Sequence, residues 1–260
     1  MGRMRVYMDL STKRYLVIIG GMVGVIIIGV GGWFAYQKWH AVKISDSGTT
    51  VTAKAGFLIN PKLQPSLDRK LVFPAGFPGD AKKILTDHVA TLVSNLKKDP
   101  SDYSSWLDLA IQYKTIGDYE GARLIWEYLN VAAPTQAISF QDLGDLYDLY
   151  LKDYPKSESN FLTAIKNGPN QTNPYLGLYE LYRYAYKQDT SAAADTLIRG
   201  IKAIPAPQNI DLETTLATYY RDKGDVANAK KYYIQARTEA MTARDNPAVA
   251  QLTAEINALK

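Results

Sequence analysis

Three aspartates, Asp142, Asp145 and Asp148, stand three residues apart, a spacing that on a helix places them along one face. Glu180, Arg183 and Tyr184 follow in the next such segment. An acidic strip flanked by tyrosine can receive a basic or extended segment of another protein. Charge rows on helices are more often solvated faces, so both readings stand. Proton transfer or hydrolysis would need more than carboxylates. The chain has no cysteine, which removes thiolate nucleophiles, zinc-thiolate sites and iron–sulfur clusters. Its two histidines, His40 and His88, are far apart in sequence. There is no Gly-rich phosphate loop, no HExxH and no Gly-x-Ser-x-Gly. We therefore expect no catalytic residue, no cofactor and no metal. An enzyme would have to be built from Asp, Glu, Tyr, Lys and Arg alone. His88 falls at the edge of an apolar stripe and reads as structural, and His40 sits beside Trp39 at a membrane border.

The elements that would position these residues show in a ladder of about 35 residues. Pro100, Pro134, Pro169 and Pro205 are 34, 35 and 36 apart, and Asp118, Asp153, Asp189 and Asp225 are 35, 36 and 36 apart. The same steps link Ala122, Ser157, Ala193 and Ala229; Trp126, Phe161, Leu197 and Tyr233; and Leu129, Ala164, Gly200 and Ala236. Such a period indicates stacked helical hairpins. Glycine in Gly117-Asp118 and Gly224-Asp225 ends one helix in the left-handed conformation, and the aspartate caps the next. The small residue lets the two helices touch, the bulky one fills the gap between hairpins, and proline ends the second helix. A hairpin with this much apolar surface must stack on its neighbours.

Residues Trp106 to Pro134 resemble a tetratricopeptide repeat (TPR), with Trp106, Leu109, Ala110, Tyr113, Gly117, Tyr119, Ala122, Trp126 and Pro134 on the family's signature positions. The fourth unit matches through Leu216, Ala217, Tyr220, Gly224, Ala229, Tyr233 and Ala236. The second needs about one inserted residue, and the third has Gln188-Asp189 where Gly-Asp is expected. The resemblance covers roughly residues 100–240. It implies an all-α, right-handed superhelical solenoid of about four repeats over 81–260, with flanking helices at 81–98 and 247–260. It also implies binding of a protein or peptide on the concave face, and a bacterial inner-membrane protein facing outward. The Lys and Asn with which some TPR domains grip a C-terminal carboxylate are replaced here by Leu107 and Ile111, so that clamp is not expected. Of the nineteen tyrosines, Tyr113, Tyr147, Tyr182 and Tyr220 are signature positions. Tyr175, Tyr179, Tyr184 and Tyr186 read either as an aromatic surface or as padding of the third unit.

Residues 15–36 contain no charge and ten Leu, Ile or Val, long enough as a helix for a hydrocarbon core of about 30 Å. Trp33, Phe34, Tyr36 and Trp39 cluster at its C-terminal end, and Arg3, Arg5, Lys13 and Arg14 precede it. These features predict an uncleaved single-pass anchor in the plasma (inner) membrane, with a cytoplasmic N-terminal segment 1–14 and an extracytoplasmic C-terminal domain. Gly20 and Gly24 form a small-xxx-small pair suited to a second helix, although glycine is common in membrane helices. Residues 37–80 read as a Pro/Gly-containing linker, whose Leu71, Val72, Phe73 and Phe77 are expected to dock on the first helices. Residues 1–80 carry ten basic and four acidic side chains and 81–260 carry twenty and twenty-two, so the net +4 lies outside the folded part. Such a near-neutral domain excludes nucleic acid as partner. The expected function is a membrane-tethered adaptor or scaffold for a protein partner; the alternative is a structural subunit of a larger membrane-associated assembly.

Overall fold

The computed structural model describes residues 42–46, 49–54, 56–188 and 190–259, with 42–54 described by backbone alone. The predicted membrane helix 15–36, with Gly20 and Gly24, lies outside the described residues, as does Asp189. Among the described residues no helix is long and apolar enough to cross a membrane.

The helical part follows the ladder. A leading helix α1 (Gly79–Lys98) precedes four hairpins. These are α2 (Tyr103–Thr115) with α3 (Tyr119–Ala132), α4 (Ile138–Leu146) with α5 (Tyr154–Asn167), α6 (Thr172–Tyr184) with α7 (Ala192–Ala203), and α8 (Ile210–Asp222) with α9 (Val226–Thr242). Helix α10 (Asn246–Ala258) closes the stack. Each helix packs on the next in sequence.

Caps set the boundaries. Asp102, Asp118, Asp153, Asp225 and Asp245 each accept a hydrogen bond from the backbone N–H three residues on, at 3.0–3.3 Å. That satisfies one of the donors a helix start leaves without a partner. Before four of these caps a left-handed residue turns the chain. Gly117 and Gly224 do so at φ of 80° and 79°, whereas Lys152 and Arg244 take the same left-handed conformation at 56° and 59°. A side chain there costs about 1 kcal/mol or more. Arg244→Gly is therefore expected to stabilise the exposed last turn by about 1 kcal/mol, measured as a shift in the denaturant midpoint at unchanged slope.

The inserted residue of the second unit is absorbed locally. After Leu146 the chain widens into a π-helical turn, Tyr147–Leu151, before Lys152 ends it. One such turn takes up one extra residue without breaking the helix.

Junctions between hairpins are filled by rings set against glycine. Phe161 is fully buried. A Cβ on Gly144 would stand 3.0 Å from its ring, and one on Gly177 only 2.5 Å away. Ser157 Oγ donates to the Gly144 carbonyl at 2.9 Å, so α4 and α5 touch where only small residues fit. Trp106 and Tyr175 occupy equivalent places in the first and third hairpins. Each donates a 3.0 Å hydrogen bond to the carbonyl of the proline six residues earlier, Pro100 and Pro169.

The stretch expected to be linker requires a correction. Val42–Asp46 (β1), Thr49–Lys54 (β2) and Phe57–Ile59 (β3) form an antiparallel sheet in the order β1-β2-β3, with Val42 opposite Ala53 and Thr52 opposite Ile59. The β-branched run Thr49-Thr50-Val51-Thr52 favours strand, and this local preference prevails over the Pro and Gly around it. The sheet rests on the helices through Phe57, which is buried edge-on against Tyr128 at 5.9 Å. Residues 60–77 then run as a strap. Leu67, Leu71, Phe73 and Phe77 pack against the first core, as expected of Leu71, Phe73 and Phe77, while Val72 is exposed. Arg69 clamps the strap to the N-terminus of α3. Its Nε and Nη2 donate to the two carboxylate oxygens of Asp118 at 2.5 and 2.6 Å.

Candidate protein-binding face

The first helices of successive hairpins line one side of the stack. Helix α4 touches α6 and α6 touches α8, whereas second helices approach one another less. Helices that converge on one side and splay on the other make that side the inner, concave one. Repeat register places Asp145 and Glu180 at equivalent positions there, and Tyr184 and Asp222 likewise.

Arg183 organises the centre of this face. Its guanidinium lies 5.0 Å from the Tyr219 ring and 5.9 Å from the Tyr184 ring, and 3.8 Å from Asp222. It therefore ties α6 to α8 by charge and by cation–π attraction. Tyr179 lies in the angle, edge-on to Tyr184 at 6.4 Å and to Tyr219 at 6.3 Å. Burial pushes its hydroxyl well above the usual tyrosine range. Tyr184, by contrast, is 64% exposed. The two readings of the tyrosine cluster thus separate. Tyr175 and Tyr179 are core, and Tyr186 is half-buried against Tyr154. Tyr184 offers its ring to solvent.

The acidic strip is not the continuous row its spacing predicts. The π turn at Tyr147 rotates Asp148 out of line, and its side chain is buried, with its carboxyl raised by burial against the pull of Lys152. Asp142 is half-buried, and its Oδ2 is enclosed without a hydrogen-bond partner. Burial pushes this carboxyl up to about 6, opposed by the charge of Lys114. Asp142 and Asp148 are therefore drawn into the packing, while Asp145 stays half-buried and Glu180 exposed. Of the six residues singled out, Glu180, Arg183 and Tyr184 share one side of α6, and Asp145 holds the matching position on α4.

Two contributors escaped the sequence reading, Tyr219 and Asp222. Register carried the signal, because Arg221-Asp222 repeats the places of Arg183-Tyr184. His88 Nε2 lies 2.6 Å from Asp108 Oδ2, joining α1 to α2, and Gln112 holds the other oxygen of that aspartate at 2.7 Å. Among the described residues no three metal-ligating side chains gather.

No family model matches the chain, and no curated protein matches it. Solved structures do. MamA, a TPR protein, superposes with a TM-score of 0.50 at 19% identity, over 67% of this chain and 99% of its own. A thermophilic TPR protein of Thermus thermophilus gives a TM-score of 0.47 at 18% identity, over 68% and 95%. With the capped hairpins, the ladder and the glycine-lined junctions, the likeness to MamA shows that the helical part of the chain has the tetratricopeptide-repeat fold.

Proposed function

We propose that the chain is a membrane-tethered scaffold that holds an extended segment of a partner protein across α4, α6 and α8. The observation that carries this is Tyr184, a large ring left open to solvent over an arginine already fixed by Tyr219 and Asp222. Rigid aromatic residues beside arginine are the usual anchors of protein interfaces. Asp145 and Glu180 would favour basic side chains on the partner. Residues 15–36 would hold the domain at the inner membrane, N-terminus cytoplasmic and domain outside. Confinement there raises the local concentration of partners without adding a contact.

Tyr184→Ala tests the reading. A protein that co-purifies with the wild-type chain from native membranes should be lost by about tenfold or more. It should be retained by Leu162→Ala, on the exposed side of α5. Equal retention by both variants would contradict the proposal.

A further inference from the structure

Glu213 occupies, in α8, the register position held by Trp106, Phe140 and Tyr175 in the other hairpins, and it is fully buried. A carboxyl therefore stands where the fold elsewhere puts a ring. The groups facing it are Gln235 and Glu239 from α9 and Asn209 from the start of its own helix. Gln235 Nε2 donates to Glu213 Oε1, and Asn209 Nδ2 lies 3.4 Å from the same oxygen. The other oxygen, Glu213 Oε2, and Glu239 Oε2 are both enclosed with no donor. Three charged groups of the neighbouring helices are engaged elsewhere. Arg199 of α7 lies over Tyr175, Arg183 of α6 pairs with Asp222, and Glu255 of α10 pairs with Arg221. Arg237 falls on the other side of α9 from Glu239.

Two facing carboxylates only accept hydrogen bonds, so neither can satisfy the other. One proton between them satisfies both orphaned oxygens and removes one of two like charges. We propose that Glu213 and Glu239 share a proton at neutral pH, and that its loss loosens α8 from α9 and releases the Tyr219 and Asp222 side of the partner face. The second half rests on the reading of that face as the partner site.

Burial first, and then the charge of Glu239, push Glu213 up to about 8. The folded state thus keeps a proton that the unfolded chain gives up near 4.5. This contribution to stability is complete below the unfolded value and is lost as pH rises towards about 8. One linked proton corresponds to a loss of up to about tenfold per pH unit across that window.

Hydrogen exchange of the full chain, compared with Glu213→Gln at matched pH, tests this. At pH values of about 6 and 9, bracketing the folded titration, wild-type protection of α8 and α9 relative to the glutamine variant should fall by about tenfold or more. Protection of α2 and α3 should not change. Glu239→Gln should flatten the dependence in part, because the charge of Glu239 goes while the burial of Glu213 stays, which covers a failure of the first variant to fold. An unchanged ratio in both variants would overturn the shared proton. A falling ratio with partner capture at Tyr184 independent of pH would overturn the release of the face and leave the proton pair standing.

Discussion

Phe161→Ala is expected to cost about 4 kcal/mol, the upper part of the range for removing a buried aromatic ring. The ring is fully enclosed, and the two glycines shaped around it belong to different hairpins, Gly144 on α4 and Gly177 on α6. Helix α4 cannot close the gap, because it is already held to α5 by the Ser157 hydroxyl on the Gly144 carbonyl. In a stacked array each hairpin touches only its neighbours, so this loss falls on one interface. Denaturant unfolding should change from one transition to two, with the hairpins before and after Phe161 melting separately. Gly177→Val attacks the same contact from the other side. A loss below about 1.5 kcal/mol for Phe161→Ala, in a single transition, would show that the junction does not depend on the ring.

Asp118→Ala is expected to cost about 3 kcal/mol and to free the strap. The carboxylate does two things at once. It caps α3 through Gly121 N–H at 3.0 Å, worth about 1 kcal/mol. It also neutralises Arg69, which is left partly covered without a partner when the aspartate goes. Proteolysis should then cut within residues 60–77 under conditions that leave wild type intact. The hydrogen bond from Arg69 holds the Asp118 carboxyl below its usual range, against the opposing effect of burial. Its contribution is therefore present above the ordinary aspartate value and is lost as the pH falls through the depressed folded one. Acidification should release the strap in wild type and change little in the variant.

Most of the helical architecture was legible because each rung of the ladder has a local cause. Asp118, Asp153 and Asp225 had to cap, Gly117 and Gly224 had to turn, and Phe161 had to fill a junction; all do so. What escaped depended on contacts distant in sequence or on backbone detail. The extra residue of the second unit was visible, but not that a π turn would absorb it and carry Asp148 inward. The sheet at 42–59 gains an anchor from Phe57 on Tyr128, 71 residues apart in the chain. Glu213 is the clearest lesson. Aligning the four hairpins puts an acid in a column of rings, and only the structure shows that Glu239 waits opposite it. On the proposed face, the three-residue spacing that set Asp142, Asp145 and Asp148 in one row could not show that Asp142 and Asp148 are drawn into the packing.

The proposed function places a partner segment on the face made by the first helices. Photo-cross-linking in intact membranes tests it most directly, with reactive residues placed one at a time at Tyr184, at Asp145 and at the exposed Leu162 of a second helix. One foreign protein should be captured from Tyr184 and Asp145 and not from Leu162. Equal capture from all three positions, or capture of the chain by itself alone, would contradict it.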